Sequence, residues 1–162
     1  MSPLVRRAAA WLAGVWAGLV AGVGVVAAPV VFATLPRGDA GRVAARLFAV
    51  DAMVGIGFGA VLLVLALQIA RRDAAHGASR FSTEMLLALG AIFCIVAGHY
   101  AIQPMIETAG RGEGGPSFAV LHGVASAFFA LKFVAIAVLA WRLSRSALPL
   151  GSEPPTAAAP TS

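Results

Sequence analysis

Four stretches of the chain are apolar for long enough to cross a bilayer. The first lies between Arg7 and Arg37 and contains no charged residue. The second, Leu47 to Ala70, is broken only by Asp51, and the third, Met85 to Ile106, carries no formal charge at neutral pH. The fourth, Phe118 to Trp141, is broken only by Lys132. About 20 residues of helix cross a hydrocarbon core, so the pattern predicts four transmembrane helices over about residues 8–35, 44–70, 85–106 and 118–141. These form one domain, residues 1–147. The first run is far longer than the roughly 7–15-residue apolar core of a signal peptide and reads as a retained helix.

Composition narrows the class further. The 162 residues are 60% hydrophobic and 12% charged, with a mean hydropathy of +0.89. Soluble domains are about half apolar and about a quarter charged. Such a chain lacks the polar surface to cover a water-soluble particle, which excludes a soluble enzyme and a disordered regulator. The single cysteine, Cys94, excludes a disulfide scaffold. A net charge of +5 in a soluble chain would point to nucleic acid. Here the basic residues cluster at the ends of apolar runs, so the partner is the lipid bilayer and not nucleic acid.

The loops set the direction. The N-terminus (Arg6, Arg7), second loop (Arg71, Arg72, Arg80) and C-terminal flank (Arg142, Arg145) hold seven Lys and Arg residues, against four in the first loop (Arg37, Arg42, Arg46) and third loop (Arg111). The positive-inside rule therefore places both termini in the cytoplasm. In the first loop Asp39 is expected to cap a helix starting at Ala40. The third loop is rich in glycine, and the tail, residues 148–162, has the Pro/Ala-rich composition of a disordered segment.

Lipid tails are as apolar as leucine, so membrane helices associate through close packing, and small residues four apart let backbones approach. Gly14, Gly18 and Gly22 form such a line on the first span, Gly55 and Gly59 on the second, Gly90, Cys94 and Gly98 on the third, and Gly123 and Ala127 on the fourth. The expectation is a tight bundle, with the Gly14–Gly18–Gly22 line available for a homo-oligomer. Pro29 and Pro104 interrupt spans. Pro104 removes one backbone donor and crowds the carbonyl of Tyr100, which predicts a kink beside His99, Tyr100 and Gln103.

Ionisable groups inside a span carry the functional argument. With span edges at Leu47, Pro104 and Phe118, a rise of about 1.5 Å per residue puts Asp51 and His122 about 6 Å, and His99 about 8 Å, below the outer edge. Three titratable side chains then share one outer layer, with Tyr100, Gln103 and Thr34 close enough to join. Three readings fit that layer. The groups reach headgroups or brace the bundle; or Asp51, Tyr100 and Gln103 line a small polar pocket for a cation, proton or solute; or His122 and His99 are axial ligands of a haem or copper centre. The sequence has no CxxCH, so a covalently attached haem is excluded. Lys132, about ten residues deeper than His122, is expected to snorkel toward the cytoplasmic face or to pair with Gln68.

Catalytic motifs are missing. The Gly55-x-Gly57 pair lies mid-span without a strand–turn–helix context, and there is no Walker sequence. Ser126 has His122 one turn back but no third partner or oxyanion donor. No catalytic residue is assigned.

The run Pro29-Val30-Val31-Phe32, then Ala40-Gly41 and Leu47-Phe48, resembles the first half of the transmembrane-protein-205-like proteins. Pro104-Met105-Ile106 and Phe118-Ala119-Val120-Leu121-His122-Gly123 resemble the second half. The likeness runs from about Val15 to Leu143. In bacteria such proteins are small four-span proteins with a domain of unknown function. The resemblance implies an integral membrane bundle with no established catalytic residues, and with the four apolar runs the expectation is an all-α integral membrane four-helix bundle of the inner membrane with short loops. It supports His122 as a motif position and offers no counterpart to His99 or Asp51. The expected role is structural or interactive. The alternatives are a haem- or copper-linked redox protein using His122 and His99, or a small cation, proton or solute transporter acting as an oligomer.

Overall fold

The computed structural model describes residues 3–74, 81–112 and 115–147. The expected disordered tail, residues 148–162, lies outside the described residues, as does Arg80 in the second loop. Among the described residues the chain is all-α, with no strand. Its helices are α1 (Pro3–Ala21), α2 (Ala28–Thr34), α3 (Arg37–Ala74), α4 (Thr83–Ile95), α5 (Ile102–Gly110) and α6 (Phe118–Ala147). Two π-helical turns, Gly22–Ala27 and Val96–Ala101, join α1 to α2 and α4 to α5. The result is four rods long and apolar enough to span a membrane: Leu4–Thr34, Arg37–Arg72, Thr83–Gly110 and Phe118–Ser146.

The rods run up, down, up and down, so the ends of α1 and α6 nearest the chain termini share the lower end. They pack in cyclic order: the first beside the second and fourth, the third likewise. Rods two and four face each other across a diagonal, and no Cα of α3 comes within 8 Å of one in α6.

Both π-turns have a sequence cause. A proline ring within a helix clashes with the carbonyl four residues earlier. For Pro29 and Pro104 those carbonyls belong to Val25 and Tyr100, and both residues lie inside the π-turns. Widening the turn relieves the crowding and shifts bonding to i−5: the Ala28 N–H donates to the Val23 carbonyl and the Ile102 N–H to that of Ala97. The kink expected at Pro104 is thus spread over a wider turn one step earlier.

The second rod begins higher than the sequence predicts. It starts at Arg37, directly after Pro36, whose carbonyl accepts the Ala40 N–H at 2.9 Å. Asp39 is therefore not the cap. It lies in the first turn, where its charge suits the helix dipole, and binds Arg42. On the third rod Ser82 is the cap, its hydroxyl accepting the Met85 N–H at 3.2 Å. At the other end α5 closes through Gly112, at φ +74°, whose N–H donates to the Ala109 carbonyl.

The lower half is solid. Ala9, Ala13, Trp16 and Val20 of α1 pack against Leu62 and Ile69 of α3, Ala88 and Ala91 of α4, and Ile136, Leu139 and Leu143 of α6. The Gly55–Gly59 line does what its spacing predicts, because a Cβ at Gly55 would lie 2.9 Å from Ile95 Cδ1 and one at Gly59 would lie 2.6 Å from Ile92 Cγ1. Trp16 lies against the same two glycines, and its indole Nε1 is buried without a hydrogen-bond partner. The other lines differ. Added Cβ atoms at Gly14, Gly18, Gly22, Gly90 and Gly123 meet nothing within 4 Å. Spacing identifies a smooth stripe and not the direction it faces.

Candidate functional site

The upper half is not packed solid. Beyond its π-turn α2 approaches only α3, and α5 only α6; no Cα pair within 8 Å joins α2 to α6 or α3 to α5. The bundle thus divides into two hairpin arms, α2/α3 and α5/α6, with a cavity of about 600 Å³ between them. Each π-turn brings a glycine against a phenylalanine of α6. A Cβ on Gly24 would fall 2.6 Å from Phe129 Cε1, and one on Gly98 would fall 3.0 Å from Phe128 Cβ. Gly98 belongs to a stripe the sequence shows, whereas Gly24 stands outside every such line.

Most of the wall is apolar, including Phe32, Phe48, Phe118, Phe129 and Phe133. The polar groups come from three rods: Asp51 from α3, His99 and Gln103 from the third rod, and His122, Ser126 and Lys132 from α6. His122 stacks on Phe118, with ring centroids 5.7 Å apart. Tyr100, expected beside these groups, does not line the cavity. It is half-exposed on the bundle surface and meets His99 edge-on at 5.0 Å. His99 lines the cavity while Tyr100, the next residue around the same turn, points outside it. Thr34 is also outside, donating to the Val30 carbonyl of its own helix at 2.8 Å.

At the junction of cavity and core Lys132 Nζ donates to Asp51 Oδ2 at 2.5 Å, with both side chains about 95% buried. This corrects the expected fate of Lys132, which neither snorkels nor reaches Gln68, an exposed residue. The cause is the height of the second rod. Each partner lies fourteen positions after the start of its helix, Arg37 for Asp51 and Phe118 for Lys132, so each is about 21 Å down its rod. Asp51 is therefore much deeper than a span edge at Leu47 implies. The ammonium also lies 4.3 Å from the centroid of Phe129, a favourable cation–π position. Phe129 in turn meets Phe48 edge-on at 5.3 Å.

A charge removed from water costs several kcal/mol unless paired, so neither group is tolerable alone at this depth. Together they give the cavity a floor that is strongly polar and electrically neutral. Among the described residues no group of three His, Cys, Asp or Glu side chains converges as a metal site; His99 and His122 share a wall with Gln103 instead. Cys94, buried beside the cavity, completes that wall.

The fold and cavity define a multi-pass membrane protein. The chain belongs to the family described as Domain of unknown function (DUF4149), whose profile matches residues 11–113. That match covers the first three rods, with Asp51 and His99, and ends before α6 with His122 and Lys132. No curated protein and no solved structure matches the chain.

Proposed function

We propose that this protein is a non-enzymatic binding component of the bacterial inner membrane, holding a small membrane-soluble molecule between its two upper arms. The observation that carries the reading is the cavity of about 600 Å³ with a buried ion pair as its floor. Ligand sites of this kind are mostly apolar with a few placed polar groups, and ionisable residues within spans mark functional sites. The gaps between the arms give such a molecule a lateral route from lipid. The arginine distribution supports cytoplasmic termini. Kinship with the transmembrane-protein-205-like proteins belongs to the same proposal. So does self-association through Gly14, Gly18 and Gly22, whose outward faces are open.

The test is extraction of gently purified protein followed by mass spectrometry of the released small molecules. A molecule retained at near-stoichiometric level by the natural chain and lost on filling the cavity with Ser126→Trp supports the proposal. The same molecules in the same amount from both proteins count against it.

A second reading rests on His99 and His122 lining one cavity. Two imidazoles are a common axial set for haem and suitable copper ligands. A Soret band that disappears in His122→Ala would establish haem, and a colourless, metal-free preparation of folded protein would remove both cofactors.

A further inference from the structure

We infer that the cavity selects its ligand by charge: it takes an uncharged amphiphile whose head both donates and accepts hydrogen bonds, such as an alcohol, amide or quinol, and it rejects charged amphiphiles of the same shape. This rests on the proposed binding role and names the class of molecule bound.

Lys132 Nζ has three N–H donors and the Asp51 carboxylate several acceptor positions, yet among the described residues each has the other as its sole hydrogen-bonding partner. Unused donors and acceptors therefore remain at adjacent points where the pair borders the cavity. A head that donates to Asp51 and accepts from Lys132 satisfies both at once and leaves the local charge at zero.

A charged head cannot do this. A carboxylate would gain Lys132 and face Asp51, whereas an ammonium would gain Asp51 and face Lys132. Either leaves one uncompensated charge in a low-dielectric site, the arrangement that buried ion pairs avoid. The cation position beside the Phe129 ring is already held by the lysine's own ammonium, 4.3 Å from the ring centroid. Higher in the wall Gln103, Ser126 and the two histidines offer further donors and acceptors. An apolar body fits among the phenylalanines, and a chain can leave through the gap between α2 and α6, where the backbones stay apart.

The experiment uses three probes with one twelve-carbon tail: dodecanamide, dodecanoate and dodecylammonium. Each is titrated into the full-length, delipidated protein in maltoside micelles and counted by native mass spectrometry. The amide is expected to bind at least tenfold more tightly than either charged probe. Neutralising one partner should redirect the preference, with Asp51→Asn favouring dodecanoate and Lys132→Met favouring dodecylammonium. If either variant fails to fold, the ranking on the natural chain decides alone. Equal binding of the three, or preference for a charged probe, would overturn the charge rule and leave the binding role standing. Binding of none would overturn both.

Discussion

Lys132 and Asp51 are paired across the diagonal of the bundle between α6 and α3, two helices whose backbones do not approach each other. The two side chains span a gap that no backbone closes, at the height where solid packing gives way to the cavity. The pair thus ties the two hairpin arms together just below the point where they part. Removing either residue would release that tie and strand a charge, so structure and binding are coupled at one place.

Glycine substitutions should separate packed from open faces. Gly59→Ala forces Ile92 away from a position 2.6 Å from the new methyl group, with Trp16 behind it at 3.3 Å. Overpacking of this kind costs about 1–3 kcal/mol. Gly57→Ala, two positions away and open, should be neutral or slightly stabilising, since alanine is the better helix former. Reversible unfolding in mixed micelles by sodium dodecyl sulfate distinguishes the two, and equal effects would refute the packing described.

Pro104 is expected to control the shape of the cavity more than the stability of the fold. Without its ring, the crowding at the Tyr100 carbonyl is gone and the third rod can revert to α-helical bonding. That reversion would rotate His99 and Gly98 relative to α6. Pro104→Ala should therefore weaken dodecanamide binding severalfold while the unfolding midpoint stays constant or rises. Unchanged binding would separate the π-turn from the site.

The hydrophobic pattern makes the four rods legible; His99, Gln103 and His122 line one cavity, whereas the depth counted for Asp51 from Leu47 misses its place at the floor beside Lys132. The partner of Lys132 was hidden for a specific reason. A helix is expected from Ala40, but depth counted from a span edge at Leu47 leaves out its first turns, which belong to α3. Moving the start of that helix lowers Asp51 to the level of Lys132. The π-turns leave no mark on hydrophobic periodicity. Their available signal is a glycine-bearing segment just before a proline near the outer end of a span, present at Gly22–Ala27 before Pro29 and at Val96–Ala101 before Pro104. Tyr100 differs from its neighbour His99 only in which side of the widened turn it occupies.

Topology should follow the arginines. In a Cys94→Ala background, cysteines placed at Gly38 and Gly115, in the turns at the upper end, should react with a membrane-impermeant maleimide added to intact cells. Cysteines at Arg7 and Ser146 should react only after the cells are opened. The reverse pattern would invert the bundle.

The pairing of Asp51 with Lys132 within the membrane is the claim on which the cavity's floor and its charge rule depend, and a double-mutant cycle tests it most directly. Unfolding free energies of Asp51→Asn, Lys132→Met and the double variant should show each single substitution costing about 3–5 kcal/mol, the expected penalty for stranding a buried charge. The double variant should cost far less than the two added together. Strictly additive costs, or single losses below the ~1 kcal/mol typical of an exposed pair, would contradict the account.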